Sequence, residues 1–91
     1  MLTEKGFSDL PTVTPTMVED LTDAHLQEWH VEYRKDLINV AWLSEMLGLD
    51  RADEIDRLME SAARLHDELT TRRDTVRMLA QANAILQGVE S

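Results

Sequence analysis

Cysteine is missing from the 91-residue chain, and proline and glycine are scarce. Without cysteine the protein has neither a disulfide framework nor a thiolate metal site. Both prolines lie within the first 15 residues, so the stretches 16–47 and 49–87 contain no residue that ends a helix. The few helix-breaking residues are Gly6, Pro11, Pro15, Gly48 and Gly88.

Long hydrophobic runs are also lacking. No apolar stretch approaches the roughly 20 residues that a membrane span needs. Residues 1–5 do not combine a basic start with a following apolar run, which is the pattern of a secretory signal peptide. These absences favour a soluble, cytoplasmic protein.

Basic side chains are few. The chain has 9 Lys and Arg against 18 Asp and Glu, a formal net charge of −9. Since affinity for nucleic-acid phosphates comes from Lys and Arg, we expect no direct binding of nucleic acid. An anionic membrane surface is an equally poor partner for this charge. The charge fits a basic protein partner, or serves solubility alone.

Residues 1–14 show no periodicity and contain several turn-forming residues, which predicts a flexible N-terminal arm before a helical domain over 15–91. Pro15 suits the first turn of a short helix over about 15–21. Thr16 and Glu19 have the spacing of a capping box at its start.

Apolar residues at helical spacing predict a second helix over 23–47, which Gly48 ends in a left-handed conformation. Asp50 then caps a third helix over about 51–86, and Gly88 is its predicted stop. The apolar residues of the second helix are Leu26, Trp29, Tyr33, Leu37, Val40, Leu43 and Leu47.

The third helix carries a coiled-coil heptad pattern over more than four repeats. Its a positions are Ile55, Ala62, Leu69, Val76 and Asn83, and its d positions are Leu58, Leu65, Arg72, Leu79 and Leu86. Polar residues inside such a stripe are typical of positions that fix register and oligomeric state. Arg72 and Asn83 are therefore the candidate register residues, with an intramolecular ion pair of Arg72 and an exposed Asn83 as the alternatives.

The short connection after Gly48 predicts an all-α fold in which the two long helices form an antiparallel hairpin. The third helix extends past the second by about 15 Å. A hairpin buries one stripe per helix, so the second apolar face of each helix needs another cover. We therefore expect a homodimer, most simply a four-helix bundle. The candidate dimer or partner interface is Val31, Ile38, Trp42, Met46, Met59, Met78, Ala82 and Ile85.

Residues that carry chemistry form no recognisable set. No Glu or Asp lies three residues before His25, His30 or His66, and no two of these histidines share one helical face, so the spacing of a helical metal site is missing. Neither a catalytic triad nor a glycine-rich phosphate loop is visible, so we expect no enzymatic activity, cofactor or metal. The sequence favours a small acidic interaction protein that acts as a helical homodimer: an adaptor, assembly chaperone or inhibitor. The alternatives are an acidic DNA-mimicking inhibitor of a nucleic-acid-binding protein, and a homo-oligomer whose only partner is itself.

Overall fold

The fold is helical throughout its regular structure. The computed structural model describes residues 1–90, without the side chains of residues 89 and 90. Within this range it contains α1 (Pro15–Glu19), α2 (Asp23–Leu47) and α3 (Ala52–Glu90), and no β-strand. The predicted all-α class with a short N-terminal helix is confirmed. No helix among the described residues is long and apolar enough to cross a membrane.

Threonine side chains begin the first two helices. Thr14 Oγ1 accepts a hydrogen bond from the Met17 amide at 3.3 Å, and Thr22 Oγ1 accepts one from the His25 amide at 3.2 Å. These bonds satisfy amide groups that have no partner within the helix. The capping residue of α1 is thus Thr14, and the capping box predicted at Thr16 is wrong. The first helix also ends at Glu19, two residues before its predicted end.

A glycine turn joins α2 to α3. Gly48 has φ 64° and ψ 28°, the left-handed conformation predicted from the sequence. The Ser44 hydroxyl donates to the Leu49 carbonyl at 2.6 Å, and Asp50 Oδ1 accepts from the Ala52 amide at 3.4 Å. These bonds satisfy backbone groups that the turn leaves without helical partners.

Gly88 does not end α3. The helix continues to Glu90, and Gly88 has no positive φ. A glycine inside a helix costs only about 1 kcal/mol relative to alanine, so it ends a helix only where the chain must turn. The predicted end at residue 86 is therefore wrong, and α3 has 39 residues.

One apolar seam joins the two long helices. The side chains of Leu26, Tyr33 and Val40 on α2 and of Leu58 and Leu65 on α3 are at most 1% exposed. Further contacts join Asp23 to Arg72 and His30 to His66, so positions fall along α2 as they rise along α3. This order of contacts follows the pairing predicted for a helical hairpin.

The first 13 residues complete the core from one side of the hairpin. Val13 is 1% exposed, and its amide donates to Ser61 Oγ at 3.0 Å. The Tyr33 hydroxyl donates to the Pro11 carbonyl. Arg57 Nη1 donates to the Leu10 carbonyl at 2.7 Å. The sequence predicts a flexible arm here and gives no sign of this packing.

A buried carboxylate holds the start of this segment. Asp36 is 3% exposed, and its Oδ2 accepts from the Met1 amino group at 2.8 Å and from Ser8 Oγ at 2.6 Å. A buried charge is tolerated when it is paired and hydrogen-bonded, as Asp36 is. These contacts explain why an aspartate occupies the inner face of α2.

The last part of α3 extends beyond α2. Residues 73–90 carry α3 past the start of α2, where Arg72 contacts Asp23; within this segment Arg73 and Val76 still border Asp23, Ala24 and Gln27. We call this 18-residue segment the overhang; it is about 27 Å long at 1.5 Å per residue. The chain measures 66 × 23 × 17 Å, and its radius of gyration is 18.3 Å. A compact domain of this length has about 12 Å.

The turn glycine provides a test of the hairpin. We expect Gly48→Ala to lower the free energy of unfolding by about 1 kcal/mol, because alanine is strained at positive φ. Gly88→Ala is the matched control, since an added Cβ at Gly88 meets nothing within 4 Å. Urea denaturation followed by circular dichroism measures both. Equal stability of Gly48→Ala and the wild type would contradict this account of the turn.

Candidate interaction surface

The side chains proposed from the sequence as an interface are exposed in the single chain. The large apolar residues among them expose between 50% and 68% of their accessible surface, and Ala82 is likewise exposed. Large apolar side chains with this much exposure are common singly but are notable when they share a face. They are Val31, Ile38, Trp42, Met46, Met59, Met78 and Ile85.

Four of these residues form a stripe on α2, which we call the Trp42 face. Val31, Ile38, Trp42 and Met46 are separated by seven, four and four positions. At 3.6 residues per turn they lie on the side of α2 that is opposite to the buried Leu26, Tyr33 and Val40. The hairpin seam therefore leaves the Trp42 face without a partner in the described chain.

The α3 residues of the predicted interface do not form one patch along that helix. Met59 and Met78 are 19 positions apart on one helix, which is about 28 Å. Met59 lies beside the hairpin seam, whereas Met78, Ala82 and Ile85 lie on the overhang. On α3 the predicted interface residues are thus divided between the level of the hairpin, at Met59, and the overhang.

The overhang also exposes its heptad stripe. Val76, Leu79 and Leu86 are 66%, 62% and 63% exposed, and Asn83 is exposed with them. The same stripe is buried against α2 in the first half of α3, at Leu58 and Leu65. The heptad pattern contains this information, although only Asn83 of these four is among the predicted site residues.

The total surface of the chain is large for its mass. It measures 6721 Å² for 10.4 kDa. A compact monomer of that mass exposes about 5,400 Å². The excess of about 1,300 Å² exceeds the roughly 800 Å² that each partner contributes to an ordinary stable interface.

Arg72 connects the three helices through hydrogen bonds at the start of the overhang. Its guanidinium donates to Asp23 at 2.8 Å, to Glu68 at 3.0 Å and to the Val18 carbonyl at 3.0 Å. The hydrogen bond to Asp23, followed by that to Glu68, raises the pKa of Arg72 above its ordinary value. Within one chain Arg72 therefore fixes α1, α2 and α3 relative to one another, as the intramolecular alternative predicts.

Two histidines meet across the helices. The rings of His30 and His66 have centroids 5.6 Å apart. Burial, then Arg34 and His66, lower the pKa of His30 from its ordinary value of 6.5. This pair is not predicted from the sequence, because the spacing of a helical metal site concerns histidines on one helix and these two are 36 positions apart. Among the described residues no group of three or more His, Cys, Asp or Glu side chains could hold a metal ion.

Comparisons of the chain with protein-family models, with curated proteins and with solved structures found no match. The interpretation of these surfaces therefore rests on the chain's own residues.

The histidine pair predicts a pH dependence of stability. Because the folded state lowers the pKa of His30, the unfolded chain takes up this proton more readily. The contribution of His30 is complete above pH 6.5 and is lost as the pH falls through the lowered pKa. We expect the free energy of unfolding to decrease between pH 7 and 5, and His30→Asn to reduce that decrease.

Denaturant titrations at several pH values measure this effect. His25→Asn is the control, because His25 is exposed at the start of α2 and lies outside the pair. If His30→Asn and the wild type lose stability in parallel over this range, the pair is not responsible.

Proposed function

We propose that the protein is a small acidic, non-enzymatic interaction protein that acts as a helical homodimer. Adaptors, assembly chaperones and inhibitors are of this kind. The observation that carries the proposal is the set of exposed apolar side chains on an elongated single chain, among them Trp42 on α2, which is 59% exposed. A cytoplasmic location belongs to the same proposal.

Apolar area supports the self-association. Burial of apolar surface contributes about 25 cal/mol per Å², so covering the exposed apolar side chains of the two long helices with another chain would be favourable. A second copy is always present at the concentration of the first, and two-fold dimers are the commonest assemblies. The four-helix bundle of two antiparallel hairpins, predicted from the sequence, is one way to build such a dimer.

The Trp42 face supports a further protein partner. Tryptophan is the side chain most enriched at binding hot spots, and here it lies between Ile38 and Met46 on one stripe. Charged neighbours surround the stripe, including Glu45 and the Glu32–Lys35 pair, whose charged atoms are 3.9 Å apart. An apolar centre with a charged rim is the usual anatomy of a protein interface. The net charge of −9 favours a basic partner.

A DNA-mimicking inhibitor is the second candidate, supported by an acidic charge on a narrow rod. The charge density of the chain is too low for a close imitation of duplex DNA. Residues 52–72 of α3 span about 31 Å, over which duplex DNA carries about 18 negative charges. The whole chain carries a net −9, half of that number.

Trp42→Ala tests the role of the Trp42 face. Wild-type and variant chains, each tagged, are used as bait in nuclease-treated lysate and washed at low and at high salt. We expect a partner that the wild type retains at both salts and that Trp42→Ala loses, since apolar contacts resist salt. Asp67→Ala is the matched control, because Asp67 is exposed on the side of α3 opposite the buried Leu58 and Leu65 and lies outside the Trp42 face.

The outcomes separate the candidates. Retention of the same partner by Trp42→Ala would contradict the proposed role of this face. Capture of a basic nucleic-acid-binding protein at low salt only would favour the DNA mimic. The mass of the wild type in sedimentation equilibrium tests whether the chain forms a homodimer. A value near 10.4 kDa at all concentrations would refute the homodimer.

A further inference from the structure

The overhang of α3 is the least protected part of the molecule. From residue 73 to residue 88 every side chain is exposed. Its heptad stripe continues in line with the stripe that α2 buries. Resting on the homodimer proposed above, we propose that the overhangs of two copies pair with each other in antiparallel orientation. The occupant of this surface is thus a second copy of the same segment.

The distribution of charge favours pairing through the overhangs. Residues 73–91 contain two basic and two acidic side chains, so the whole net charge of −9 lies in residues 1–72. Residues 78–89 contain no charged side chain at all. A compact bundle of two hairpins would place two bodies of charge −9 side by side. Overhang pairing in antiparallel orientation keeps these bodies at opposite ends of the dimer, where solvent and salt screen their repulsion.

The heptad stripe selects the register. In antiparallel coiled coils an a residue lies opposite a d residue. With the two-fold axis at Gln81, Val76 lies opposite the partner's Leu86, and Leu79 opposite the partner's Asn83. This register places each of the four exposed stripe residues opposite another of them.

A register shifted by seven residues inward would place Asn83 opposite the partner's Arg72, a side chain that already contacts Asp23 of α2. The opposite shift would pair only Asn83 with Leu86 among the stripe residues. The register centred on Gln81 is therefore the one that covers the whole exposed stripe from Val76 to Leu86, a length of about 15 Å.

Parallel pairing does not satisfy the same constraints. It would cover the same stripe, but it would bring both hairpins to one end and place their charges together. In the antiparallel arrangement the Trp42 face stays outside the pairing on each copy. The dimer would then present two Trp42 faces near its ends for the proposed partner.

Introduced cysteines test the orientation, since the chain has none of its own. Val76→Cys and Leu86→Cys are prepared separately in the full chain, mixed, and oxidised. We expect a disulfide between the two variants and none within either alone. A disulfide needs Cα atoms within about 7 Å. In the proposed register two copies of residue 76 are ten positions apart along the axis, about 15 Å.

The matched control is a mixture of Arg77→Cys with Ala84→Cys. These positions lie at nearly equal levels in the proposed register but on the outer side of the overhang, so we expect no cross-link. Self-cross-linking of Val76→Cys and of Leu86→Cys would show parallel pairing and overturn the proposal. If the wild type is dimeric by sedimentation but the mixed variants do not cross-link, the overhang pairing is wrong and the homodimer stands. A monomeric wild type would refute the homodimer itself.

Discussion

The apolar seam between α2 and α3 is the interaction on which the rest of the molecule depends. Leu26, Tyr33 and Val40 meet Leu58 and Leu65 there, and all five are at most 1% exposed. The N-terminal segment has no core of its own and packs against this seam from one side. Fully burying one leucine contributes about 1.5–3 kcal/mol. The seam is therefore the main source of stability in a chain with a small core.

Because the two helices differ in length, the apolar stripe of α3 continues beyond the end of α2 and has no partner helix there. With 25 residues in α2 and 39 in α3, the stripe that forms the core also continues into solvent. The net charge lies at the other end of the molecule: residues 73–91 are neutral in sum, and residues 1–72 carry the whole −9. One stripe thus serves folding in its first half and, in our proposal, association in its second half.

Local signals explain which features the sequence predicts well. The bounds of α2 agree residue by residue, because Thr22 and Gly48 mark its ends through short-range hydrogen bonds and backbone conformation. The packing of the N-terminal segment depends on contacts to Asp36 and Ser61 that are distant in sequence and follow no period. The same holds for the histidine pair. Gly88 misled the prediction because a glycine permits a helix end but does not require one.

The length of the particle in solution tests the central claim, that the α3 overhang is where two copies meet. Small-angle X-ray scattering gives the maximum dimension. One chain is 66 Å long. Two chains that share an overhang of about 27 Å would span about 105 Å with twice the mass of one chain. A dimer no longer than one chain would show that the hairpins pack side by side and would contradict the account.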